Sequence, residues 1–182
     1  MKSHVLMVCG VLAVSTSAFA QTAAEIIERA LAPAPRQARE GATVIQWKPD
    51  YTYDTLKKGT NRLVCYDLSA GLRPQAFAVQ CTSLGNLPRA AQNRRFEAIK
   101  DAAERKKMLD AAEADGTRAK PEYGSMWVTM TGPDQATATI HTTIAVPGGT
   151  SQSTGLPDTG GQGGAWVMNA GTSTAHIMVP GR

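Results

Sequence analysis

The chain has 182 residues, of which 42% are hydrophobic, 19% charged and 5% aromatic, with 19 Lys and Arg against 15 Asp and Glu. A net charge of +4, interspersed along the sequence, is too mild for a nucleic-acid surface. The length suits a single domain able to bury roughly two thirds of its unfolded surface.

The opening "MKSHVLMVCGVLAVSTSAFA" carries a lone Lys2, an apolar run from Val5 to about Val14, and the small residues Ala18 and Ala20 around an aromatic. This layout predicts a secretory signal peptide over residues 1–20, cleaved after Ala20. The apolar run is shorter than the roughly 20 residues a spanning helix needs, so no transmembrane segment is expected after cleavage. Acylation of Cys9 is set aside, because Val8 stands where a small residue is wanted. A periplasmic or extracellular location follows.

Residues 21–41 read as a leader with a short helix. Thr22 and Glu25 have capping-box spacing, and Pro33 and Pro35 end the run. A single domain is then expected over 42–182. Its first signals, "ATVIQW", "YTYDTLKKGTN" and "RLVCYDL", are β-rich with a turn at Gly59 and predict an antiparallel meander. With Cys9 lost in the signal, Cys65 and Cys81 form an even pair in an exported chain, which predicts a disulfide. Their spacing has none of the C-x-x-C character of redox or thiolate metal sites.

The stretch "NRRFEAIKDAAERKKMLDAAEADG" predicts one long helix near Asn93 to Ala114, closed by Gly116. Phe96, Ile99, Ala103, Leu109 and Ala112 form its thin apolar stripe, and its charges pair at helical spacing as on a solvated face. Strand signals return in "YGSMWVTMTG" and "ATATIHTTIAVPG". Period-2 alternation there puts Ile140 and Ile144 on one face and His141, with Thr139 and Thr143, on the other. The following Gly, Ser and Thr rich segment follows no phosphate-loop pattern, so nucleotide binding is not expected.

The closing "GAWVMNAGTSTAHIMVPGR" predicts a hairpin. A three-residue loop, Asn169-Ala170-Gly171, places glycine in the left-handed position of a bulged type I turn. That register pairs Met168 with Thr172 and Trp166 with Thr174, and puts Trp166, Met168, His176 and Met178 on one face. Thioether and imidazole together favour Cu(I), and an indole beside them can contact the cation. The alternative is a strand apolar on both sides, with Val167, Ala175, Ile177 and Val179 opposite, in which methionine and tryptophan are core filler.

For enzymatic chemistry, only His141 and His176 remain as general bases after processing. Ser173, Ser153 and Thr143 are the available nucleophiles, and Asp134 or Asp158 the orienting groups. No G-x-S-x-G elbow, H-E-x-x-H helix or carboxylate-rich calcium loop is present.

The segments "GTNRLVCYD", "FAVQCTS", "NLPRAAQNRRFEA", "HTTIAVPG" and "GAWVMNAGTSTAHIMVPG" resemble a family of exported bacterial proteins that has no assigned activity. The likeness runs from about Gly41 to the C-terminus. More distant bacterial proteins share mainly the start of the "GTN" segment and the closing "WVM…AHIM.P" pattern. The resemblance implies a bacterial secreted context and transfers no residue roles.

The expectation is therefore an α+β fold: a mostly antiparallel sheet of about five to seven strands, one long helix packed on it, and one disulfide. The expected function is a non-enzymatic module, needing no cofactor, that binds a small ligand or a protein partner near His141 and His176. A Cu(I) binder using His176 and Met178, helped by Met168 and Trp166, is the first alternative, and a hydrolase is the second.

Overall fold

The computed structural model describes residues 22–69, 75–161 and 163–180. The expected signal peptide lies outside them. Among the described residues, no helix is long and apolar enough to cross a membrane. The fold is α+β, built on one mostly antiparallel sheet of eight strands. In chain order these are β1 (Thr43–Trp47), β2 (Tyr53–Lys57), β3 (Leu63–Asp67), β4 (Phe77–Ser83), β5 (Met126–Gly132), β6 (Thr139–Ala145), β7 (Trp166–Met168) and β8 (His176–Val179). The helices are α1 (Ala23–Ala30), α2 (Arg36–Arg39), α3 (Leu87–Glu97), α4 (Ala102–Ala114) and α5 (Ser151–Thr154).

Spatial order is β2-β1-β3-β4-β5-β6-β8-β7, and here the expected meander needs correction. β2 returns antiparallel to β1 as predicted, but β3 lies on the other side of β1 and runs parallel to it. The segment joining β2 to β3 crosses beneath the start of β1, so β3 begins at the same end. The crossing is tight: the N–H groups of Thr60 and Asn61 donate to Gly41 O at 2.8 and 3.0 Å, and that of Gly59 donates to Thr43 Oγ1 at 3.1 Å. A Cβ at Gly59 would lie 2.2 Å from Gly41 O, so only glycine fits there.

The single long helix is also corrected. The helical run breaks between Ala98 and Asp101 into α3 and α4. Asp101 leaves the helical region at ψ 124°, and its carboxylate accepts the N–H of Glu104, as an N-cap does. A local cap at the fourth free N–H competes with continuing the helix and wins, because Asp is a poor interior residue and a strong cap. α3 also begins earlier than expected, with Pro88 in its first turn. The predicted stop stands: Gly116 follows α4 at φ 74°, the left-handed conformation of a helix C-terminus.

The capping box at Thr22 and Glu25 is present. It starts α1, whose Ala30, with Leu31 and Ala34, packs on Ala42, Val44 and the Cys65–Cys81 disulfide. The two cysteines face each other across β3 and β4 and have no exposed surface. On the opposite face of the sheet, Leu87 and Ala90 of α3 pack on Ile45, Val64 and Tyr66. A third cluster, Val146, Val167 and Ala175 with Leu156 and Ile177, closes the β8-β7 end.

Candidate functional site

The strand pairings decide what faces α3. Tyr66 lies opposite Gln80, Gln80 opposite Thr129, Thr129 opposite His141, Trp127 opposite Thr143, Thr143 opposite Met178 and Ala145 opposite His176. Directly opposed residues share a face, so all of these point to the α3 side. Between them and α3 lies a cleft of about 250 Å³, whose lining includes Arg89 and Asn93 of α3 together with Trp127, His141, Thr143 and His176. The structure thus brings His141 and His176 into one open cleft, from different strands. His141 is four residues along β6 from the partner of His176, about 13 Å at the usual strand rise. The imidazoles stand at two ends of the cleft.

At one end, His176 Nδ1 lies 2.7 Å from Thr174 O. A carbonyl only accepts, so Nδ1 carries the proton of that bond and Nε2 is the atom left for a ligand. Towards the other end, the buried Tyr66 hydroxyl donates to Gln80 Oε1 at 2.8 Å and Gln80 Nε2 donates to Thr129 Oγ1 at 2.7 Å. This chain holds the hydroxyl beside His141 in place. The floor is cationic. Arg89 is 4% exposed and its Nη1 donates to Ala119 O at 2.7 Å and Ser173 Oγ at 3.4 Å. Burial, with Arg118 beside it, pushes the Arg89 guanidinium down to about 10, against the pull of Glu113. It stays charged at neutral pH.

The predicted hairpin of β7 and β8 forms in a different register. Trp166 pairs with Met178, Val167 with Ile177 and Met168 with His176, so the connection spans residues 169–175 instead of three. Gly171 is in the expected left-handed region at φ 80°, and Asn169 joins it at φ 55°. The backbone beyond them bonds elsewhere. Gly148 N–H donates to Thr172 O, Gly171 N–H to Gly149 O, and Val146 N–H to Ala175 O, all within 2.9 Å. Glu113 of α4 accepts both the N–H and the O–H of Ser173 at 2.5 Å. These bonds reach segments distant in the chain, which a local turn rule does not contain. The slip is four residues, an even number, so Trp166, Met168, His176 and Met178 still share a face.

In this register Met168 stands straight across from His176, and directly opposed Cβ atoms are about 5 Å apart. Met168 is 45% exposed on the edge strand, while Trp166 is packed against Gly160, where a Cβ would meet the indole at 3.0 Å. Among the described residues, no group of three or more His, Cys, Asp or Glu is placed to hold a metal ion. A copper set here would draw on the two thioethers.

Of the hydrolase candidates, Thr143 lies in the cleft with the two histidines, whereas the serines and Asp134 are engaged elsewhere. Ser173 bonds Glu113, Ser153 caps α5 with Thr150, and Asp134 accepts from Thr137. Among the described residues, neither imidazole hydrogen-bonds a serine or threonine hydroxyl. Thr143 lines the cleft, and Asp158 lies in the segment after α5. Sequence reading missed Arg89, Asn93, Gln80 and Trp127. Arg89 and Asn93 have the i, i+4 spacing of one helix face, but that spacing alone does not say which face meets the sheet. No protein-family model matches the chain, and comparison with curated proteins and with solved structures likewise finds no match.

Proposed function

We propose that the chain is a non-enzymatic binding module that takes a small polar ligand in the His141 and His176 cleft. One observation carries this reading: two histidines from different strands line a single open cleft, and one of them has a ring nitrogen left over after its Nδ1 bond. The volume lies just below the range of drug-sized sites, which suits a small molecule with an acceptor for Arg89, a donor for His176 Nε2 and a flat part for Trp127. Export to the periplasm or beyond belongs to the same reading. A buried disulfide supports it, since such bridges persist in oxidising compartments. Amino-terminal sequencing of the secreted chain should begin at Gln21.

The test is a thermal-shift screen of small polar metabolites, followed by titration of the hits. A ligand held in this cleft should stabilise wild type by about 2.7 kcal/mol at a hundredfold excess over Kd, and lose most of that effect in His176→Ala. Hits that stabilise His176→Ala and His141→Ala as strongly as wild type would exclude the cleft.

The opposition of Met168 to His176 favours Cu(I) binding as a second reading. Competition against a chromophoric Cu(I) chelator should then give an affinity that falls about tenfold or more, some 1.4 kcal/mol, in each of His176→Ala, Met168→Ala and Met178→Ala. Equal affinity in all three removes copper.

A further inference from the structure

Among the described residues, four buried side-chain polar atoms lack a hydrogen-bond partner, and three of them are Trp47 Nε1, Arg94 Nε and Arg94 Nη1. Both residues line a separate cleft of about 390 Å³, and the Arg94 guanidinium lies 5.5 Å from the Trp47 ring centre. All three atoms are donors and none can accept. Leaving such groups buried without partners is costly, more so on a cation. Among the described residues, nothing supplies these three donors with an acceptor, and because arginine stays charged, an anionic one suits them.

The cleft exists because β1 and β3 part. Their parallel ladder holds only two register pairs, Thr43 with Val64 and Val44 with Cys65, and the β1-β2 ladder shifts register at the same point, between Val44 and Ile45. Beyond it, Ile45, Gln46 and Trp47 form one wall and Asp67 and Ser69 the other. Arg29 reaches in from α1 and Arg94 from α3.

Among the described residues, the one carboxylate lining this cleft is already engaged. Asp67 accepts from Arg29 Nε at 2.6 Å and from the N–H of Ser69 at 2.6 Å, as well as from the Ser69 hydroxyl. Burial pushes its carboxyl up, but these bonds outweigh burial and hold it below the ordinary value. Glu97, one turn along α3, feels Arg94 electrostatically, yet burial dominates and raises its carboxyl. No ion pair joins Glu97 to Arg94. Among the described residues, Arg29 and Arg94 against Asp67 leave the lining with one uncompensated positive charge, and Ile26, Ile45 and Ala76 add apolar wall.

We infer that the cleft between β1 and β3 binds a small organic carboxylate, with its oxygens at Arg94 and the Trp47 indole N–H and its carbon body against Ile26 and Ile45. A monoanion balances the net charge of the described lining residues, whereas a phosphate dianion exceeds it by one. This site is distinct from the histidine cleft, and either can fail without the other.

The experiment follows the Trp47 indole N–H resonance by ¹⁵N NMR, assigned with Trp47→Phe, during titration with acetate, benzoate, benzamide and inorganic phosphate. Benzoate should shift it saturably, acetate more weakly, and the neutral isostere benzamide should leave it in place. Arg94→Gln should weaken benzoate about tenfold or more, as expected for loss of a charged hydrogen bond. Should Arg94→Gln fail to fold, Arg94→Lys, which keeps the charge with fewer donors, should still weaken benzoate severalfold. The inference is overturned if neither carboxylate gives a saturable shift at tens of millimolar, if benzamide matches benzoate, if phosphate binds more tightly than both carboxylates, or if the Arg94 variant that folds binds like wild type.

Discussion

Breaking the Cys65–Cys81 crosslink should cost about 3 kcal/mol of stability through the unfolded chain alone. The bridge joins residues 16 apart, and closing a loop of that size removes about 10 cal/mol/K of unfolded-chain entropy, or about 3 kcal/mol at 25 °C. The folded state should change little, because the cysteines are already opposite one another in the β3-β4 ladder and four neighbouring pairs hold the register. Reduced wild type keeps both sulfur atoms and loses only the crosslink. The Cys65→Ala, Cys81→Ala double variant also leaves space beneath Ala30, Leu31 and Val44, which adds about 1–2 kcal/mol for two missing methyl-sized groups. Equilibrium urea unfolding of oxidised wild type, reduced wild type and the double variant separates the two effects. The uncrosslinked forms should also show a larger m-value, since their unfolded chains expose more surface. In thermal melts the reduced form should fall by about 6–12 °C at this chain length. Reduced and oxidised wild type agreeing within about 1 kcal/mol would refute the loop-entropy account.

Gly59→Ala should destabilise by about 2–3 kcal/mol through overpacking, because its Cβ would meet the backbone of Gly41, Ala42 and Thr43 within 2.5 Å; an unchanged melting temperature would mean the crossing beneath β1 is not tight. Glu113→Gln should cost about 1 kcal/mol by weakening the two bonds to Ser173. It should also change the acid limb of the stability profile. The Ser173 O–H and N–H hold the Glu113 carboxyl below its ordinary 4.5, so its contribution is fully present above that pH and is lost as pH falls through the folded value. Wild type should therefore lose more stability than Glu113→Gln on acidification below about pH 5, and urea midpoints that run parallel for the two proteins would contradict this.

Signals that act within about one turn of chain were legible in the residues. Thr22 and Glu25 start α1, Gly116 ends α4, and alternation in "TIHTTIA" alone puts His141 opposite Ile140 and Ile144. The cap at Asp101 is equally local, with Glu104 three residues on, but charges that pair at helical spacing on both sides of it argue for continuity and mask the break. The disulfide followed from compartment chemistry and an even cysteine count. The common face of Trp166, Met168, His176 and Met178 depends only on whether an offset is even, so it survived a slip of four residues.

Tertiary structure alone decided the rest. The parallel β1-β3 pairing depends on whether the chain after Gly59 turns back or crosses beneath Gly41, and the two choices share the same local strand signals. The β7-β8 register depends on Glu113 bonding Ser173, 60 residues away. The meeting of His141 and His176 depends on β8 inserting between β6 and β7, and on α3 presenting Arg89 and Asn93 to that face. Each is a contact between distant segments whose closing costs chain entropy and is offset only by the assembled sheet. Residue type and spacing carry no term for it.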